Sequence, residues 1–238
     1  MSLGTPRKTF ASTVLAQRAL DQELLAACKE SKDHGKIQSL LEAGADPDSV
    51  HGEISQQTPL LITKSPETIR LLLEAGADPN KKGKLGSTPL HEQAYLHQTF
   101  SCKLLIEAGA DVNAVDSSGY TAIHNSLLLF RGEPEQIWST IKALLDAGAD
   151  VNQQVPLDAK NNPGYTALHF AAESLVGKKL IGQLMAAGGN PKIKTAKGST
   201  PKDICHSDSL AELEWNTQFQ KEENIRKRLS KGLELDIS

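Results

Sequence analysis

A four-residue signature, Ala-Gly-Ala-Asp, returns at Ala43–Asp46, Ala75–Asp78, Ala108–Asp111 and Ala147–Asp150, with a weaker copy at Ala187-Gly188-Gly189-Asn190. Its glycines lie 32 (44 to 76), 33 (76 to 109), 39 (109 to 148) and 40 residues apart (148 to 188). Self-similarity at this period implies stacked units, each unable to bury its apolar face alone and each leaning on its neighbours. Length then stops being a guide to domain count, because such a core grows along one axis.

One unit can be read residue by residue. Gly86-Ser87-Thr88-Pro89-Leu90-His91 opens the third. Thr88 suits an N-cap, since its hydroxyl can accept from an unpaired N–H of the first turn. Pro89 falls at the first helical position, where its missing N–H costs nothing. A short helix to about Tyr95 is expected, then a second carrying Leu104, Leu105 and Ile106 into Gly109. Gly109 should end that helix with positive φ, where a Cβ would cost roughly 1–2 kcal/mol. The other openers are Thr58-Pro59-Leu60, Thr121-Ala122-Ile123-His124, Thr166-Ala167-Leu168-His169 and Thr200-Pro201. Helices this short are marginal alone, so stability must come from burial between units.

The pattern Gly-x-Thr-Pro-Leu-His, followed by a Leu-Leu helix ending in Gly-Ala-Asp-x-Asn, resembles the ankyrin repeat, over about residues 20–205 in five places. The resemblance implies an all-α repeat solenoid of helix-turn-helix units joined by β-hairpins or loops, with helical caps at both ends. Residues 1–18 are expected to be a flexible basic lead-in and 19–206 the repeat domain. Residues 207–231 are expected to cap it, and 232–238 to fray.

Departures from the pattern carry expectations of their own. The first unit lacks the Thr-Pro opener and reads as a cap around Leu24-Leu25-Ala26-Ala27. The second is short, 18 residues from Thr58 to Gly76 against 21 from Thr88 to Gly109, so its first helix must be clipped. Ser65-Pro66-Glu67 then restarts the chain as a capped second helix. The fourth has a surplus within Leu127–Ser139 that includes Phe130, Arg131 and Trp138, and a second surplus around Gln153–Asn162 should enlarge a hairpin. Insertions in repeat arrays map to one face, often the binding face.

Catalytic and metal chemistry finds little footing. His91, His124 and His169 recur in one slot, which the resemblance makes structural: the imidazole bonds near the Thr hydroxyl and the adjacent loop. No His or Cys spacing suits zinc. Asp46, Asp78, Asp111 and Asp150 fit hydrogen-bond acceptors in the turn after glycine. Phosphate loops and nucleophile elbows are absent. The expectation is a non-enzymatic chain with no catalytic residue, cofactor or metal. Asn113 and Asn152 resemble the sites that the asparaginyl hydroxylase acting on hypoxia-inducible factor modifies in ankyrin repeats, and are candidate hydroxylation positions.

Stacked repeats make binding surfaces far more often than active sites. The resemblance implies that a partner polypeptide contacts hairpin tips and the exposed side of the first helices. Mapped here, those positions are Lys82, Lys84, Leu85, Ser87, Tyr95, Leu96, Ser117, Ser118, Tyr120, Tyr165, Glu173 and Ser174. Phe130, Arg131 and Trp138 join them from the insertion. Aromatics make up only 4% of the chain, so the three tyrosines stand out as anchors. Trp138 shares a stripe with Ile141 and Leu145 and fits either core or surface; Phe170 is expected inside. Lys81, Lys82, Lys84 and Lys192, Lys194, Lys197 form two basic groups, either solvated loops or a seat for an acidic or phosphorylated partner segment.

A net charge of −3 gives no drive toward nucleic acid or anionic membrane, and no apolar run reaches the roughly 20 residues a bilayer span needs. Three scattered cysteines point to a reducing compartment. The expected setting is cytoplasmic, or the host cytoplasm for a delivered bacterial effector, and the chain alone is expected to be a monomer. Alternatives are an adaptor whose C-terminal helix joins a complex, an effector binding host proteins, and, weakest, an enzyme.

Overall fold

The structure is a computed structural model that describes residues 10–30, 33–52, 56–128, 133–173 and 178–205. Phe130, Arg131, Ser174 and the expected cap at 207–231 lie outside these residues. Eleven helices and no strand occur among the described residues. Among the described residues the expected hairpins reduce to tight loops with one isolated bridge, His51 to Gln57.

The chain forms two compact units, Met1–Gln93 with Gln98–Ser117, and Ala94–His97 with Ser118–Ser238. In the first unit α1 (Phe10–Glu30) packs on α2 (His34–Glu42) and α3 (Pro59–Ile62), and α4 (Pro66–Glu74) lies between α2 and α6 (Thr99–Glu107). Helix α5 (Pro89–Tyr95) opens the third repeat. In the second unit α9 (Ala167–Glu173) packs on α7 (Ala122–Leu128), α10 (Lys178–Ala186) and α11 (Pro201–Ile204), while α8 (Pro134–Asp146) contacts α7 and α10.

The core repeats with the sequence. In the second helices, Ile37, Ile69, Cys102, Ile141 and Ile181 occupy one buried register. Leu72, Leu105, Leu144 and Leu184 occupy the next. First helices bury Leu60, Leu90, Ile123 and Leu168 two residues after each opening threonine. Each second helix ends on a glycine at φ near +90° (Gly44, Gly76, Gly109, Gly148, Gly188), a conformation that L side chains rarely adopt. The next amide bonds back to a carbonyl one turn earlier, Ala110 N to Leu105 O at 2.9 Å for example, closing the helix end.

The clipped second repeat is as expected. Helix α3 has four residues, and Ser65 Oγ caps α4 by accepting from Thr68 N at 3.3 Å. The shortened helix leaves the Thr63 carbonyl in the interior, where Gln93 Nε2 donates to it at 3.0 Å. Gln93 thus has a polar role in a wholly buried position.

Helix α1 takes in Gln17, which donates to Gly44 O at 2.8 Å. Part of the fourth-repeat surplus is helical. Helix α8 has 13 residues where α4 and α6 have nine each, so Pro134 at its first turn starts a longer helix.

Candidate functional site

Clipping α3 has a second consequence in the first unit. The chain there leaves a groove of about 620 Å³, lined by Leu61 and Ile62 of α3, Lys29 at the end of α1, Lys64 after α3, and Gly83, Lys84, Leu85 and Ser87 of the following tip. Gln57 and Glu92 complete the lining. Leu85 is 68% exposed, the most exposed large apolar side chain among the described residues. Its backbone is nonetheless held, because Leu85 O accepts from Ser117 N at 2.8 Å and Gly83 N bonds Ser87 O at 2.9 Å. Lys82 Nζ donates to Val115 O at 3.2 Å, tying the same two tips together. Glu92 accepts from Ser87 Oγ at 2.8 Å. No carboxylate among the described residues lies within ion-pairing distance of Lys29, Lys64 or Lys84. Three of the expected contact residues, Lys84, Leu85 and Ser87, therefore line one feature. Lys29, Lys64, Leu61 and Ile62 were missed, because only the packing of α1 and α3 brings them beside the tip.

The second unit uses its aromatics differently. Phe170, 4% exposed, lies at the centre of a ring cluster, 5.7 Å from Tyr120, 5.2 Å from Tyr165 and 5.4 Å from His124 between centroids. Tyr120 is 7% exposed, and its hydroxyl accepts from Asn162 Nδ2 at 3.2 Å. The expectation of Tyr120 as an exposed anchor is thus corrected: its ring is already packed. Tyr165 is half-buried against Phe170 and His169, and burial, then the Glu173 charge, pushes its phenol above the usual range. The long loop around Gln153–Asn162 is stapled down. Val155 is buried, and Gln154 Nε2 donates to Gly164 O at 2.9 Å and Lys194 O at 3.1 Å.

Of the other expected contact residues, Lys82, Ser117, Ser118, Tyr95 and Glu173 are exposed, while Leu96 and Trp138 are partly buried. Asn113 is exposed; Asn152 is partly buried and engaged on both ends of its amide.

That engagement belongs to a repeating scheme. Asn80 Nδ2 donates to Gly109 O at 3.0 Å while its Oδ1 accepts from Asp111 N at 2.7 Å. Asn152 repeats both bonds to Gly188 O and Asn190 N, at 3.0 and 2.7 Å. In the first repeat two residues of α1 divide these bonds between them. Gln17 donates to Gly44 O, and Asp21 accepts from Asp46 N at 2.8 Å. Within each turn the acid after glycine accepts from the amide two residues on, as Asp46, Asp78, Asp111 and Asp150 do at 2.8–2.9 Å. The histidine slot is also structural. Thr88 N, Thr121 N and Thr166 N donate to Nδ1 of His91, His124 and His169 at 3.2, 3.1 and 3.0 Å. A backbone amide can only donate, so Nδ1 carries the lone pair and Nε2 the hydrogen. His124 Nε2 then donates to Gln153 O and His169 Nε2 to Ser199 O, at 3.1 and 3.3 Å.

A family model described as "Ankyrin repeats (3 copies)" matches residues 24–116 and, overlapping them, 62–155. The chain belongs to the ankyrin-repeat family. No curated protein matches it. The ankyrin hydrogen bonds extend beyond the matched span, to Asn190 and to Thr200, whose amide and hydroxyl donate to Asp203 at 2.8 and 2.7 Å. Ankyrin repeats generally serve as protein-protein interaction modules. Buried Cys28 and Cys102 have their thiols pushed up to about 12 by desolvation, which suits core residues rather than nucleophiles. No helix among the described residues is long and apolar enough to cross a membrane.

Proposed function

We propose that this ankyrin-repeat chain binds a partner polypeptide in the groove of its first unit, with Leu85 as the apolar anchor. The observation that carries the reading is an exposed leucine on a tip whose backbone is hydrogen-bonded on both sides, directly beside a preformed recess. A side chain held in place before the partner arrives reduces the ordering cost of association. Lys82, Lys84, Ser87 and Ser117 supply polar contacts around it. Tyr95, Leu96, Trp138, Tyr165 and Glu173 provide a secondary surface. The same proposal has the chain act as a scaffold or adaptor in the cytoplasm. Modification of Asn113 and Asn152 belongs to the same proposal; an added oxygen in the intact mass after treatment with the hydroxylase is its test.

The groove itself is tested by selecting short random displayed peptides on the intact chain. Leu85→Asp should weaken the selected ligands at least tenfold, about 1.4 kcal/mol, with the circular dichroism unchanged. Ligands that bind Leu85→Asp as tightly as the wild type would place the contact surface elsewhere.

A further inference from the structure

We infer that the groove of the first unit takes an extended, acidic peptide segment that alternates carboxylate and apolar side chains; this rests on the proposed role of that groove as the partner site. Two features of its lining define the occupant. The floor is apolar, made of the partly exposed Leu61 and Ile62, with Leu85 rising beside them. Lys29, Lys64 and Lys84 come from three separate segments, all are exposed, and none has a carboxylate within ion-pairing distance among the described residues. The one acid in the lining, Glu92 of α5, already accepts from Ser87 Oγ at 2.8 Å. A net excess of cations around a greasy floor is complementary to a ligand that is apolar on one face and anionic on the other.

An extended chain provides that arrangement with the least machinery, since successive side chains point to opposite sides. Leucines at alternate positions would meet Leu61, Ile62 and Leu85, and the carboxylates between them would reach the ammonium groups. Ammonium groups on flexible stems act as point charges and do not demand the fixed fork geometry that arginine imposes. The site therefore selects for charge and spacing rather than for one acidic residue type. The groove's cations oppose the chain's overall charge of −3, so the preference is local to this recess.

The probe is a fluorescent peptide alternating aspartate and leucine, measured by anisotropy on the full chain. Two companions carry asparagine for aspartate, or serine for leucine. The aspartate–leucine peptide should bind best, each companion at least tenfold weaker. Lys29→Gln, Lys64→Gln and Lys84→Gln should each weaken it about two- to fivefold, and added salt should weaken it further. Equal binding of the asparagine peptide, or indifference to the three lysine changes, overturns the acidic preference. If Leu85→Asp still abolishes that binding, the groove survives as the partner site and only its chemistry is wrong. Failure of all three peptides, with lysine-dependent binding to phosphatidylserine vesicles, would instead assign the lysines to a lipid surface.

Discussion

Asp48 is the imperfect link in the asparagine series. It stands four residues after Gly44, as Asn80 and Asn152 stand after Gly76 and Gly148. Both its oxygens accept from Asp78 N at 3.1 Å, but a carboxylate cannot donate to the Gly76 carbonyl. Desolvation holds its pKa above the ordinary carboxylate range, against the pull of the Asp78 amide and Lys81; Asp78 and Asp46 add to the rise. Asp48→Asn should therefore stabilise the protein at neutral pH by about 1 kcal/mol, raising the melting temperature by about 2 °C or more. An unchanged or lower melting temperature contradicts the role given to this series. His169 makes the opposite case. Burial is the first cause that lowers its pKa from 6.5, outweighing the bonds to Ser199 and Ile193. The unfolded chain then takes up the proton first, so stability is full above about 6.5 and falls as pH drops toward the folded value. Denaturant midpoints should show this decline. His169→Gln keeps an acceptor for Thr166 N but cannot titrate, and should flatten the curve; an equally steep decline in the variant removes His169 as its source.

At the scale of elements, the repeat pattern made most of the fold legible. Gly109, Thr88 and Ser65 announce a helix end and two helix starts through backbone chemistry that acts within a few residues, and such signals survive without tertiary knowledge. What depended on packing did not show. Tyr120 immediately precedes Thr121 and reads as a tip residue, yet Phe170 of α9 draws it into a cluster that no local pattern encodes. Gln93 occupies a helical position beside alanine, and its reason is a carbonyl 30 residues earlier, bared by a short helix. The same distinction gives a prediction about substitutions. Tyr120→Ala should cost about 3 kcal/mol or more, because it empties part of the ring cluster and strands the Asn162 amide. Leu85→Ala, on an exposed tip, should stay within about 0.5 kcal/mol. Equilibrium unfolding of the two variants checks the contrast, and similar losses for both would refute the assignment of one to core and the other to surface.

At the scale of the whole molecule, two compact units follow one ankyrin grammar and differ in what they do with large side chains. The second unit commits Tyr120, part of Tyr165 and the loop around Gln153–Asn162 to internal packing, and its most exposed large apolar residue among the described ones is Leu157, at 64%. The first presents Leu85 on a braced tip over a lysine-rimmed recess. Site-specific photocrosslinking separates these surfaces most directly. A benzophenone amino acid in place of Leu85, or in place of Leu157, is irradiated with a displayed-peptide ligand bound to the intact chain. The account predicts a covalent adduct from position 85 and none from position 157; an adduct from 157 alone would contradict it.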